Sequence, residues 1–120
     1  MPSPPLAPDD GPIDMAHLKR MTLGDPGLER EVLAMFAGQS AGLIGALAGL
    51  PANAVTLTHT LKGSARAIGA VRVSEAAEWL EAAMRGGVGT SEGSAAQALA
   101  VLYDSVEETR AAINTLLNRS

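Results

Sequence analysis

An all-α fold, an antiparallel four-helix bundle with a short additional N-terminal helix, is what this sequence predicts, and three observations carry that reading. The hydrophobic residues, 47% of the 120 positions, are mostly Ala, Leu and Val, with one Trp, one Tyr and one Phe. Such a mixture suits thin, closely packed helices, whereas sheets draw on aromatic and β-branched side chains. Four long segments repeat their apolar residues at helical spacing between start and stop signals, and no segment alternates as a half-buried strand would. The length allows one core, so a single domain is expected over residues 13–120.

Five of the seven prolines fall before that domain, at Pro2, Pro4, Pro5, Pro8 and Pro12, among Asp9, Asp10 and Gly11, so residues 1–12 read as a disordered Pro-rich tail. Asp14 can cap a short helix through Met21, with Ile13 and Leu18 at the two positions of a hydrophobic staple, and Thr22-Leu23-Gly24 ends it. Asp25-Pro26 is the next start, a capping carboxylate followed by proline at the first helical position. Leu28, Val32, Met35, Phe36, Leu43, Leu47 and Leu50 then form the expected stripe of the second helix. Gly38, Gly42, Gly45 and Gly49 interrupt it. Each costs about 1 kcal/mol relative to Ala inside a helix, which points to close approach by a neighbouring helix, with a hinge as the alternative.

Pro51 is read as the start of the third helix and Gly69 as its stop. A fourth runs over about Arg72 to Arg85, burying Val73, Ala77, Leu80 and Met84, and Gly86-Gly87-Val88-Gly89 breaks it. Thr90 and Ser91 offer capping hydroxyls for a last helix carrying Leu99, Leu102, Val106, Ile113 and Leu117. Short loops make neighbours antiparallel, with the first helix lying across the bundle.

The net charge is −4 and no basic run tracks a phosphate backbone, which argues against nucleic acid. With no Cys and only two His, thiol chemistry is absent and a zinc site would need carboxylates at a spacing the sequence does not offer. The longest apolar stretch, Ala41 to Leu50, falls well short of the roughly 20 residues that span a bilayer. The N-terminus lacks the plan of a signal peptide, so a cytoplasmic protein is expected.

The chemistry concentrates on the third helix. Leu57, Leu61, Ser64, Ala65 and Ile68 fall on one side, the predicted core face. Lys62, Gly63 and Arg66 each lie within roughly 60° of His59 on the other side. A solvent-facing histidine flanked by two cations is biased toward the neutral imidazole, whose free nitrogen can attack phosphorus. Lys62 and Arg66 stand where charge would develop on the equatorial oxygens of a transferring phosphoryl group. Gly63 weakens the helix unless a partner's close approach uses the missing side chain. His17, on the short helix, has no such company and reads as a solvated or capping residue, and Trp79 as edge packing.

The run HTLKGSARAIGA, His59 to Ala70, resembles the signature of histidine-phosphotransfer (HPt) domains, in which a phosphoacceptor His is followed three and four residues later by Lys and Gly, with another Gly at a helix end. The order and length of the helices from Asp14 onward are also similar to that family's bundle. The resemblance implies a phosphocarrier in a two-component phosphorelay. His59 would accept a phosphoryl group from a receiver-domain phosphoaspartate and pass it to another receiver aspartate, without autonomous kinase activity. The implied partners are response-regulator receiver domains and an upstream hybrid histidine kinase. No cofactor is implied, and Mg2+ would belong to the receiver. The family's polar residue on the following helix, which hydrogen-bonds the other imidazole nitrogen, matches Glu81, with Glu78 as second choice. Val55, Thr56, Thr60 and Ala67, small or apolar around the histidine, suit a transient docking surface. Arg66 stands where many relatives carry a small or uncharged residue, which bears on partner choice.

Three other readings compete. A helical module could bind receivers or a kinase without carrying phosphate, though the histidine argues against it. The dimerisation and phosphoacceptor segment of a histidine kinase fits poorly, since Thr60 rather than an acidic residue follows the histidine and no Pro occurs after Pro51. The phosphoacceptor module of a chemotaxis-type kinase would need a kinase domain that this sequence does not contain. A monomer is expected, because the bundle closes its own core.

Overall fold

The structure is a computed structural model and describes residues 11–86 and 92–119. It has five helices, α1 (Met15–Met21), α2 (Pro26–Leu47), α3 (Ala54–Ile68), α4 (Val71–Met84) and α5 (Glu92–Leu117), and no strand among the described residues. The N-terminal segment 1–10 and the proposed caps Thr90 and Ser91 lie outside the described residues.

Local chemistry sets most boundaries. The Asp14 carboxylate accepts from the His17 backbone N–H at the start of α1, and Asp25 does the same for Gly27 and Leu28 at the start of α2. Ile13 and Leu18, at the two staple positions, are both buried in the core. Gly69 ends α3 in the left-handed conformation, φ 84°, and the Ala70 N–H closes back on the Ala65 carbonyl at 2.8 Å. The Asp14 N–H donates to the Gly69 carbonyl at 2.8 Å, which ties α1 to the α3–α4 corner. A Cβ on Gly69 would sit 3.0 Å from the Asp14 carbonyl oxygen, so both φ and space demand glycine there.

The long helices form a closed ring in which α2 packs on α3 and α5, and α4 packs on the same two, while α1 lies on α3. Arg30 Nη2 donates to the Leu117 carbonyl and Arg110 Nε to that of Ala37, the crossed numbering of an antiparallel pair. Leu33, Phe36, Ile44, Leu47, Leu61, Val73, Leu80, Leu102, Val106 and Ile113 fill the core. Each such leucine contributes about 2 kcal/mol by leaving water.

Four expectations need correction. The buried stripe of α2 is Leu33, Phe36, Ser40, Ile44 and Leu47, so Leu28 and Met35 stand exposed instead. Two stripes at helical spacing overlap in this alanine-rich segment, and the one that faces both α3 and α5 prevails. Gly38, Gly42, Gly45 and Gly49 are exposed, and a Cβ on any of them would meet nothing within 4 Å. No helix of this chain approaches them among the described residues. The third helix begins at Ala54, not Pro51, because Gly49 and Leu50 both take positive φ and delay the first turn. Met84 and Leu99 are only partly buried.

Gly38→Ala and Gly42→Ala should each raise stability by roughly 0.5–1 kcal/mol, since they remove backbone freedom at helical positions with open space. Gly69→Ala should lower it by more than about 1 kcal/mol, the cost of left-handed φ with a Cβ. Urea midpoints measure all three, and a loss at Gly38 or Gly42 would mean that the missing Cβ is used within the folded chain.

Candidate functional site

On α3 the buried residues are Ala54, Thr58, Leu61, Ala65 and Ile68, spaced four, three, four and three. That stripe turns His59, one residue past Thr58, outward, and its side chain is 72% exposed. Gly63, one turn further, is exposed, and a Cβ there would touch nothing within 4 Å. Arg66 is exposed and lies 3.8 Å from the Glu78 carboxylate on α4.

Lys62 departs from the expected strip. Its side chain is only 12% exposed, because it folds over the edge of α3 onto α4 and donates from Nζ to Oε1 of Glu81. Glu81 follows Ala77 by four residues and Leu80 by one, and so lies on the buried side of α4, with 4% of its side chain exposed. Its other oxygen, Oε2, lies 3.2 Å from His59 Nδ1. A carboxylate can only accept, so Nδ1 carries the proton of this bond. One buried carboxylate thus joins the histidine and the lysine. Glu81, rather than the second choice Glu78, contacts the imidazole, and its pairing with Lys62 is a buried one.

Burial works to raise the pKa of Glu81, but the hydrogen bonds from Lys62 and His59, with their charges, outweigh it and hold the carboxyl below its ordinary value.

Val55, Thr56, Thr60 and Ala67 are all exposed around His59. Beside Ala67 a groove of about 200 Å³ opens between α2 and α3, lined by Met35, Gln39, Ser64 and Ala67 among others. Met35, 67% exposed, is a residue the sequence reading put in the core, and only the correct register of α2 brings it to this face. His17 is half-buried, its Nε2 donating to the Ala67 carbonyl at 3.1 Å, which makes it a clasp between α1 and α3. Trp79 stands 44% exposed on α4. Thr58, beside His59 in sequence, carries a buried hydroxyl without a hydrogen-bond partner. No described helix is long and apolar enough to cross a membrane, and no three His, Asp or Glu among the described residues gather as metal ligands.

A family model described as Hpt domain matches residues 31–117. The structure is similar to the X-ray structure of a candidate histidine-containing phosphotransfer protein from rice, with a TM-score of 0.76 over 89% of this chain and 80% of that chain. At 22% identity this likeness speaks for the fold. No curated protein matches the sequence.

Because the folded chain holds Glu81 below its ordinary value of 4.5, the unfolded chain binds that proton first as pH falls. The stabilising contribution is therefore complete above about pH 4.5 and is lost as pH drops through the lower, folded value. Glu81→Gln should flatten that acid limb and cost about 3 kcal/mol at neutral pH by leaving Lys62 unpaired. Urea unfolding as a function of pH measures both effects.

Proposed function

This chain belongs to the Hpt domain family, and we propose that within it His59 accepts a phosphoryl group from the phosphoaspartate of one receiver domain and passes it to the aspartate of another. The observation that carries this reading is an imidazole 72% exposed whose Nδ1 is engaged by a buried carboxylate. Proton and hydrogen bond at Nδ1 leave Nε2, across the ring, with the lone pair.

In the forward step that lone pair forms the N–P bond while the P–O bond to the receiver's aspartate breaks, and the electron pair returns to the carboxylate. The imidazolium that results keeps its proton on Nδ1, against Glu81, as a carboxylate-oriented histidine does in enzymes that use one. Arg66, exposed and only loosely paired with Glu78, is the cation that can turn toward the phosphoryl oxygens. Gly63 leaves clearance for the visiting loop, and Val55, Thr56, Thr60 and Ala67 form the uncharged surroundings on which a receiver can settle and leave. Mg2+ in the receiver's acidic pocket supplies the remaining charge neutralisation. The work is cytoplasmic, the donor is a receiver of an upstream hybrid histidine kinase, and the carrier acts as a monomer because its core is closed by its own helices.

Incubation with a phosphorylated receiver and Mg2+ should move label to this chain in an acid-labile, base-stable form, and His59→Gln should take up none. Label on that variant, or none on the native chain, would leave a module that binds receivers without carrying phosphate.

Gly63→Ala separates docking from folding. It should stabilise the free protein by about 1 kcal/mol, as a helical Gly→Ala in open space does, and slow the transfer. Stabilisation with an unchanged rate would remove Gly63 from the docking surface.

A further inference from the structure

The edge of α4 that faces α5 carries a surface that the chemistry of His59 does not use. Trp79, the chain's one tryptophan, stands 44% exposed there. It precedes Glu81 by two residues, which puts the indole about 160° round the helix from the carboxylate that holds His59. The pairing of α4 with α5 fixes what lies opposite. Arg72 Nη1 donates to Glu108 at 2.7 Å, and two turns further along α4 and two turns back along α5 the same antiparallel register sets Trp79 beside Val101, itself 39% exposed.

Carboxylates border this apolar pair. Glu75 lies one turn before Trp79 and Asp104 one turn after Val101, both exposed and neither paired with a cation among the described residues. Arg72 is already engaged with Glu108. We propose that this α4–α5 face is a second docking surface, which takes a basic amphipathic helix of a partner protein. An aliphatic side chain of that helix sits between Trp79 and Val101, and its Arg or Lys residues lie over the indole and against Glu75 and Asp104. Tryptophan is among the side chains that most often anchor a protein contact, and its ring face attracts guanidinium and ammonium groups. The unpaired carboxylates then select the sign of the partner.

Two other occupants lack that chemistry. Residues 1–10 of this chain carry Asp9 and Asp10 and no Lys or Arg. A second copy brings a net charge of −4 to a face that is itself acidic. The surface does not depend on the carrier reading of His59, but on that reading a partner held here leaves the histidine open, so the chain stays tethered while it exchanges phosphoryl groups.

The test uses a synthetic helical peptide of Leu, Arg and Ala without aromatic residues, with the emission of Trp79 as reporter. Emission should shift to shorter wavelength and saturate at one peptide per chain, with affinity falling as salt rises. The same peptide with Glu in place of Arg should give no shift. Glu75→Gln combined with Asp104→Asn should weaken binding about fivefold, the usual worth of surface ion pairs. Val101→Lys should abolish it, with urea midpoints confirming that these exposed changes leave the fold intact. Glu31→Gln, a like change of charge on the exposed side of α2, should alter affinity less than about twofold. Bound peptide should leave the NMR signals of the His59 ring in place.

No shift with the Arg peptide overturns the proposal. A loss in Glu31→Gln equal to that at Glu75 and Asp104 does so too, since the attraction would then be to the acidic chain as a whole. Emission that shifts with protein concentration alone would assign the face to a second copy, and displaced His59 signals would merge it with the site already described; either result also overturns it.

Discussion

A single buried carboxylate sets the geometry of the His59 face. Taking an ionised glutamate out of water costs several kcal/mol, and only well-placed donors offset it. Glu81 has two, one to each oxygen, both from α3. The pair therefore holds only if α3 and α4 keep one register, since sliding α4 by a single turn would carry the carboxylate about 5 Å away from both donors. The corner between these helices is built for that. Gly69 and Ala70 are the only residues between α3 and α4, the left-handed turn closes on Ala65, and Asp14 grips the Gly69 carbonyl from α1. Backbone geometry at one end of the helix pair thus fixes side-chain chemistry at the middle.

The two flanks of His59 differ in character. Toward α4 the surface is charged, with Lys62 against Glu81 and Arg66 against Glu78. Toward α2 it is small or apolar: Thr60, Ala67 and, across the groove, Met35. Under the proposed function, a partner's position would be set by contact that needs no charge on one side, while the chemistry would be organised on the other. Such a surface gives orientation without the strong pairing that would slow release.

The fold was legible because each level of the sequence agreed: caps at Asp14 and Asp25, a stop at Gly69, and apolar spacing that no strand could use. His59 and its exposure were legible for the same reason, since helix register fixes which face of α3 turns outward, whereas the preference for Glu81 over Glu78 came from the resemblance to the family's pattern. The failures lie where register was ambiguous or tertiary. In α2, alanines and glycines leave two overlapping stripes, and only the neighbours decide that Leu33 and Ile44 go in while Met35 stays out. The glycines there face open space, so the close approach inferred from their cost has no counterpart among the described residues. Lys62 was placed correctly on the wheel, but a four-carbon stem reaches round a helix edge, and a wheel does not record where the head comes to rest.

That reach bears on what a phosphocarrier needs. A site that gripped a phosphoryl group as hard as it could would lower the energy of the phosphorylated state and trap it, because only stabilisation greater in the transition state than in the ground state speeds transfer. Around His59 the formal charges cancel in pairs, Lys62 with Glu81 and Arg66 with Glu78, so an arriving dianion meets a face that is nearly balanced and open to water. Attraction at such a face is weak and screened. On the proposed carrier reading, the strong electrostatics would arrive with each receiver and depart with it, and a group on His59 would be free to move on in whichever direction the next partner draws it.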